Sequence, residues 1–241
     1  KVVLGDLNAP AAAEAPVAAA AAPVAAYEDV KLSNVRKVIA RSMHASLSSM
    51  AQLTLNSSFD ATKLLALRAS LKAGAEKLGL ANITLNDMVL YAVSRVLLSH
   101  KDLNAHYLDD KIRYFKRVNL GIAVDTDRGL MVPTIFHADE MSLLEISKAV
   151  KELAAQCREG NISPDKLSGG TFTVSNLGNM GVESFTPVIN PPQTAILGVC
   201  AVTNRLKADG TVYPAMGLSL TFDHRAVDGA PAAKFLQDLK A

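Results

Sequence analysis

The chain has 241 residues, 49% hydrophobic and 20% charged, with a net charge of +2; that is ample for one large or two small packed domains, and the charge excess is too small to hold nucleic acid by electrostatics. No run reaches the roughly 18 continuous apolar residues of a membrane-spanning helix. Cys157 and Cys200 form no CxxC pair and have no histidine at ligand spacing, so no metal site is expected and a reducing compartment is.

The chain opens on Lys1 rather than methionine and is expected to be a piece of a longer protein. Residues 1–8, with Val2, Val3 and Leu4, read as the tail of a preceding module. Residues 9–26 contain twelve alanines, three prolines and a single charge, Glu14. Proline interrupts a helix and alanine offers little to bury, so this stretch reads as a semi-extended linker. From Ser33 the pattern is helical, with Val35, Ile39, Met43, Leu47 and Met50 spaced by three or four. Leu53, Leu55, Ser57 and Phe59 then alternate as a strand. Asp60 is placed to cap a helix through Leu64, Leu67, Leu71 and Leu78 that closes at Gly79. Thr84 with Asp87 opens the next helix, whose apolar side is Met88, Val89, Ala92, Val96 and Leu97.

Residues 112–125 read as a strand, Asp127-Arg128-Gly129 as a turn, and Leu130–Phe136 as a second strand. Ser142 with Glu145 starts a helix through Leu144, Ile146, Val150 and Leu153. Three strands follow, at Thr171–Ser175, Thr194–Val202 and Val212–Asp223, with Asp209-Gly210 turning the chain between the last two. A final helix begins near Ala230 and carries Phe235, Leu236 and Leu239. Strands joined by hairpins without strict βαβ alternation predict a mixed or largely antiparallel sheet.

Chemistry concentrates in three places. In the last strand Leu218, Leu220 and Phe222 alternate with Ser219, Thr221 and Asp223, so one face is expected to be buried, and the strand delivers His224 to its end. An imidazole is matched to moving protons at neutral pH, and one held at a strand end can sit at the mouth of a site; a histidine at an ordinary turn fits the same residues. Asp228, four residues on, could orient that ring, pair with Arg225, Arg36 or Arg41, or serve as the Asp-Gly turn before the last helix. Ser175 ends a strand just before glycines 178 and 181, where a hydroxyl can donate to an oxygen that becomes negative; Ser175 and Asn176 as plain turn formers fit equally well. No GxxxxGK[ST] or GxGxxG pattern supplies a phosphate loop. His44, His100, His106 and His137 have no metal-site spacing, and Asn190-Pro191-Pro192-Gln193 reads as a rigid loop.

Taken in order, the runs FTVSNLG, INPPQTAILGV and LSLTFDHRAVDGA, together with VRKVIARSM and GIAVDTDRGLMVPTI, resemble the catalytic domain of dihydrolipoamide acyltransferases, the E2 cores of 2-oxo-acid dehydrogenase complexes. The resemblance covers residues 27–241, read as the catalytic domain. It makes 9–26 the tether and 1–8 the remnant of a peripheral-subunit-binding domain. The implied fold is α/β, a two-layer mixed-sheet sandwich of the chloramphenicol acetyltransferase-like type. The implied assembly is a homotrimer, with sites between neighbouring subunits, building a larger cubic or icosahedral core. Partners implied are a lipoyl domain and the E1 and E3 components; the compartment is bacterial cytoplasm or mitochondrial matrix.

The implied reaction passes an acyl group between a dihydrolipoyl thiol, carried on a separate lipoyl domain, and the thiol of coenzyme A. By the resemblance His224 is the general base, Ser175 the donor to the oxyanion, and Asp228 a supporting residue, since some family members carry asparagine there. An ordinary thiol near pKa 8.5 lies only about two units above an ordinary histidine near 6.5, a gap a short hydrogen bond can bridge. The ending DHRAVDGAPAAKFL looks closest to the pyruvate or acetoin members, which makes acetyl the expected group. Two other classes compete: a non-catalytic scaffold, and a Ser-His-Asp hydrolase with Ser175 as nucleophile, for which the GxSxG elbow is missing. The residues that hold coenzyme A are not legible.

Overall fold

Alternating strands in the C-terminal third build the centre of the molecule. The chain is seen in a computed structural model that describes residues 26–78 and 82–241. The expected remnant at 1–8, the linker at 9–26 apart from Ala26, and Gly79 lie outside the described residues. Residues 26–32 carry no helix or strand, and Ser33–Ala241 form one compact unit.

Strands β1 (Gln52–Asp60), β4 (Leu120–Ile122), β5 (Thr134–Ile135), β6 (Phe172–Asn176), β7 (Ala195–Leu206) and β8 (Val212–Asp223) form one six-stranded sheet. Its order is β1-β8-β7-β6-β4-β5, with β2 (Ala105–Leu108) and β3 (Lys111–Tyr114) as a separate hairpin. β7 runs parallel to β6 and β6 to β4, while β1-β8, β8-β7 and β4-β5 are antiparallel, a mixed sheet as predicted. Helices α2 (Thr62–Leu78), α3 (Leu85–Val96), α4 (Leu143–Glu159) and α5 (Gly229–Leu239) form the second layer. α2 and α5 contact β8, α4 contacts β5, and α3 packs against the other three helices. Between the layers Leu218, Leu220 and Phe222 meet Phe172, Phe235 and Leu236, all buried.

The helix starts follow the capping chemistry. Thr84 and Asp87, and Ser142 and Glu145, form reciprocal capping boxes, each satisfying backbone donors that a helix start leaves unpaired. α4 stops at Gly160, whose φ of +75° is left-handed. Asp60 accepts the Thr62 N–H at 3.0 Å, as its place before α2 predicts.

Three expectations change. The single strand over 112–125 is two strands in different sheets, β3 and β4. Buried Asn104 holds the crossing between them, donating from Nδ2 to the carbonyls of Phe115 and Arg117 at 3.0 Å each. β2, unanticipated, pairs with β3. Leu130–Phe136 is strand only at Thr134–Ile135, with a single bridge from Met131 to Val124, because Pro133 offers no N–H to a ladder.

The face of β8 that carries Ser219, Thr221 and Asp223 is also buried, all three at 0% exposure. The segment 182–189 lies over it: Phe185 N–H reaches Ser219 Oγ at 3.3 Å, and Val182 O accepts the Ala201 N–H. Burial of these polar groups is matched by partners, Ser219 Oγ donating to Asn56 Oδ1 at 2.6 Å and Thr221 Oγ1 lying 2.7 Å from Thr54 Oγ1.

Helix α1 (Asn34–Ser49), capped by Ser33, is tied to this face through Ser46 Oγ, which donates to Ile189 O at 2.6 Å. Its apolar stripe is only partly covered. Ile39 and Met43 are half-buried, but Val35, Val38 and Leu47 stay 40%, 57% and 58% exposed. Val35 and Val38 edge an open groove that Leu130 and Leu167 also line.

Candidate active site

β8 and the tight turn after it set the position of His224. Asp223 N–H donates to Thr194 O at 2.9 Å and His224 N–H to Ala51 O at 2.9 Å, while Ala226 and Val227 N–H turn back to Asp223 O. The imidazole lies tilted against Phe222, with ring centroids 5.7 Å apart, and its side chain is 45% exposed. Its Nδ1 is 3.6 Å from Asp228 Oδ1, close enough for charge to act but beyond hydrogen-bond length.

Asp228 occupies the N-cap position of α5 with extended backbone, yet its side chain makes no cap hydrogen bond and is 83% exposed. None of the three candidate arginines pairs with it in this chain. Arg225 grips Asp223 instead, Arg41 Nε donates to Lys37 O, and the Arg36 guanidinium lies beside Gly129.

Ser175 sits in β6, between β4 and β7, on the face opposite Phe172 and Val174, and its hydroxyl bonds to no described residue. It is registered with Gly198 of β7, and Gly198 with Ser219 of β8, five residues short of His224. Five residues along a strand cover about 16 Å and two strand spacings about 10 Å, so Ser175 and His224 are roughly 19 Å apart within one chain. A Ser-His-Asp triad inside a single chain is excluded by that separation.

The end of β6 opens onto a cleft of about 740 Å³, lined by Arg68, Asn86, Arg158, Asn176, Cys200 and Met216 among others. Asn176, next to Ser175, fixes the turn there: Oδ1 accepts the Gly178 N–H at 2.9 Å and Nδ2 donates to Asn86 Oδ1 at 2.9 Å. Gly178 is required by close approach, since a Cβ would stand 2.5 Å from the Cys200 carbonyl oxygen. Arg68 Nε is buried there without a hydrogen-bond partner, and Arg158 forms no ion pair among the described residues. Two guanidinium groups with no carboxylate partner among the described residues, on one cleft, can take an anion. Ninety positions separate them in the chain, and no local motif could have joined them. Burial pushes the Cys200 thiol up from its ordinary value, which keeps it protonated and a poor nucleophile at neutral pH.

The remaining histidines lie elsewhere. His44 is exposed on α1, and His137 stands 3.9 Å from Glu140. His100 Nε2 is 3.0 Å from Asp238. His106 Nε2 is 2.9 Å from Gly170 O, with its pKa lowered by burial.

Residues 24–241 match the family model of the 2-oxoacid dehydrogenases acyltransferase catalytic domain. The chain is 42% identical over 219 residues to the dihydrolipoyllysine-residue acetyltransferase component of the acetoin cleaving system of Bacillus subtilis, with 88% of this chain and 54% of that protein covered. It spans about half the length, or less, of the curated relatives it matches first. It also resembles dihydrolipoamide acetyltransferase (E2p) of Azotobacter vinelandii, in a structure made to investigate the role of a serine, a histidine and an asparagine in catalysis. There the TM-score is 0.85 and the identity 35%, over 89% of this chain and 90% of that one. The cubic core of the pyruvate dehydrogenase multienzyme complex superposes with TM-score 0.85 at 34% identity, over 89% and 90%. Chloramphenicol acetyltransferase shares the fold, with TM-score 0.52 at 12% identity over 88% and 96%.

Proposed function

This chain belongs to the 2-oxoacid dehydrogenase acyltransferase family, matched through the catalytic domain, and on that premise we propose that it carries an acetyl group between a dihydrolipoyl thiol and the thiol of coenzyme A. The active unit is a multimer in which His224 of one copy faces Ser175 of the next. What carries this reading is the separation of two incomplete halves. His224 is half-exposed at a strand end, far from the Ser175 of its own chain, and Ser175 has no hydrogen-bond partner among the described residues, one position before cleft-lining Asn176. The uncovered apolar stripe of α1 supports burial against another copy. The cubic core to which the chain is similar supports a larger assembly of such copies, and the partners we assign to that assembly are E1, E3 and a lipoyl domain.

In the step itself His224 takes the proton from the coenzyme A sulfur as that sulfur attacks the thioester carbonyl carbon. A carbon–sulfur bond forms and the carbonyl oxygen takes the electron pair. Ser175 Oγ–H donates to that oxyanion. The carbonyl re-forms, the bond to the dihydrolipoyl sulfur breaks, and the imidazolium returns the proton to that sulfur. No redox partner or covalent enzyme intermediate is needed, and the same groups serve both directions. Asp228 stands beside His224 as a supporting residue whose charge the chemistry does not require. In the Azotobacter enzyme the investigated histidine and asparagine are likewise four positions apart, which supports a role of placement rather than proton transfer for this position.

The Arg68–Arg158 cleft is the place we assign to the phosphates of coenzyme A, with the thiol arm rounding the end of β6 toward Ser175. The test is a panel of acyl-CoA thioesters with free dihydrolipoamide, run in the reverse direction. Acetyl transfer to the dithiol, absent without it, is the expected result. Acyl-CoA hydrolysis in the absence of dithiol, with an acylated Ser175 seen by mass spectrometry, makes the protein a hydrolase. An assembled protein with no turnover on any thioester makes it a scaffold.

A further inference from the structure

The turn that displays His224 is built from three stretches far apart in the chain. Asp223 N–H donates to Thr194 O, Thr194 N–H to Ala105 O at 3.1 Å, and Tyr107 N–H to Pro192 O at 2.9 Å. The β2–β3 hairpin, the 190–194 loop and the His224 turn are therefore one hydrogen-bonded unit. One side chain closes it. Arg225 Nε lies 3.0 and 3.1 Å from the two oxygens of Asp223, and Nη2 lies 2.7 Å from Oδ2. The guanidinium carbon stands 4.3 Å from the centre of the Tyr107 ring. Asp223 is fully buried and accepts the N–H of Ala51 at 3.3 Å and of Arg225 at 3.1 Å. Ala51 O is in turn the acceptor for the His224 N–H. The backbone on both sides of the imidazole is thus tied to one carboxylate, and the charge on that carboxylate is matched by one guanidinium.

We propose that Arg225 is a positioning residue for His224: forked onto Asp223 and set over the ring of Tyr107, it holds the turn in the one geometry that aims the imidazole at its thiol. This rests on the reading of His224 as the base. A planar fork fits both oxygens of a carboxylate and an aromatic face at once, which a lysine ammonium does not. Without it the Asp223 charge is buried unpaired, and the turn has every reason to reopen toward water. Reacting groups displaced by an ångström lose rate steeply, although Arg225 touches no substrate itself.

The test compares R225Q, R225K, Tyr107→Leu and H224A in the assembled protein, following kcat, both KM values and the thermal midpoint. R225Q is expected to lower kcat about 10–100-fold with both KM values held, since misplacement acts on the reacting geometry rather than on binding. R225K recovers part of the loss by restoring charge without the fork. Tyr107→Leu keeps the ion pair and loses only the ring, with kcat down about threefold; if R225Q fails to fold, this variant decides. The proposal is overturned if soluble R225Q keeps wild-type kcat, if Tyr107→Leu has no effect, or if R225K is no better than R225Q. H224A separates the two readings. Full transfer in H224A removes the base and the positioning role together, while a dead H224A beside an unaffected R225Q removes the positioning role alone.

Discussion

The two ends of the central sheet are furnished in opposite ways. At the β8 end a histidine is held on a heavily bonded turn and left half in solvent. At the β6 end a serine precedes cleft-lining Asn176, and the cleft holds two guanidinium groups that form no ion pair among the described residues and a thiol too buried to react. One end has the imidazole; the other has space and positive charge. The difference teaches that, on the proposed reading, the two groups serve as separate half-sites that a second copy brings together.

The largest effect expected is on the base. His224→Ala should lower acetyl transfer about 10²–10⁴-fold, the range spanned by general acid–base catalysts. Mixing sharpens the comparison further. Chains with His224→Ala and chains with Ser175→Ala, dissociated and reassembled together, should regain about a quarter of wild-type activity, because random neighbours restore one intact pairing in four. A mixture no more active than its two parents places both groups in one site of one chain and ends the two-half reading. Ser175→Ala alone should cost about 10²–10³ in kcat, the price of one oxyanion donor. Arg68→Ala should raise the KM for coenzyme A about tenfold and leave that for dihydrolipoamide unchanged, as expected for one charged hydrogen bond lost from a single substrate. Equal changes in both would detach the cleft from coenzyme A.

The smallest effect lies away from both ends. Hydrogen bonds from the Thr62 side chain and backbone, helped by Lys207, hold the Asp60 carboxyl down at about 2, from an ordinary 3.8. A depressed folded-state value means that its stabilising contribution is full above the unfolded value and disappears as pH falls from about 4 through about 2. Asp60→Asn should therefore lower the thermal midpoint slightly at neutral pH and match the wild type near pH 2, with acetyl transfer unchanged. A variant that loses transfer would mean that the sheet ends are coupled through β1.

Much of this was legible before any coordinates. Ser142 with Glu145 and Thr84 with Asp87 announce helix starts because the capping groups lie within one turn of the backbone they satisfy. The Asp209-Gly210 turn and the alternation in β8 are local in the same sense. Where partners come from afar, the reading fails. Nothing in residues 112–125 reveals that Asn104 takes the carbonyls of Phe115 and Arg117 and splits the stretch between two sheets. Nothing near Ser219 or Thr221 says that segment 182–189 will cover them and that Asn56 and Thr54 will meet their hydroxyls.

The sequence by itself determined the family, the order of the elements, and which histidine, serine and aspartate deserve scrutiny, because those signals are carried by neighbours in the chain. Only the tertiary structure decided that Arg225 belongs to Asp223 and not to Asp228, that Arg68 and Arg158 share a cleft, and that His224 and Ser175 of one chain stand far apart. Those are facts of strand register and helix packing. Free energy of that kind is set by residues brought together across tens or hundreds of positions, and no short motif records it.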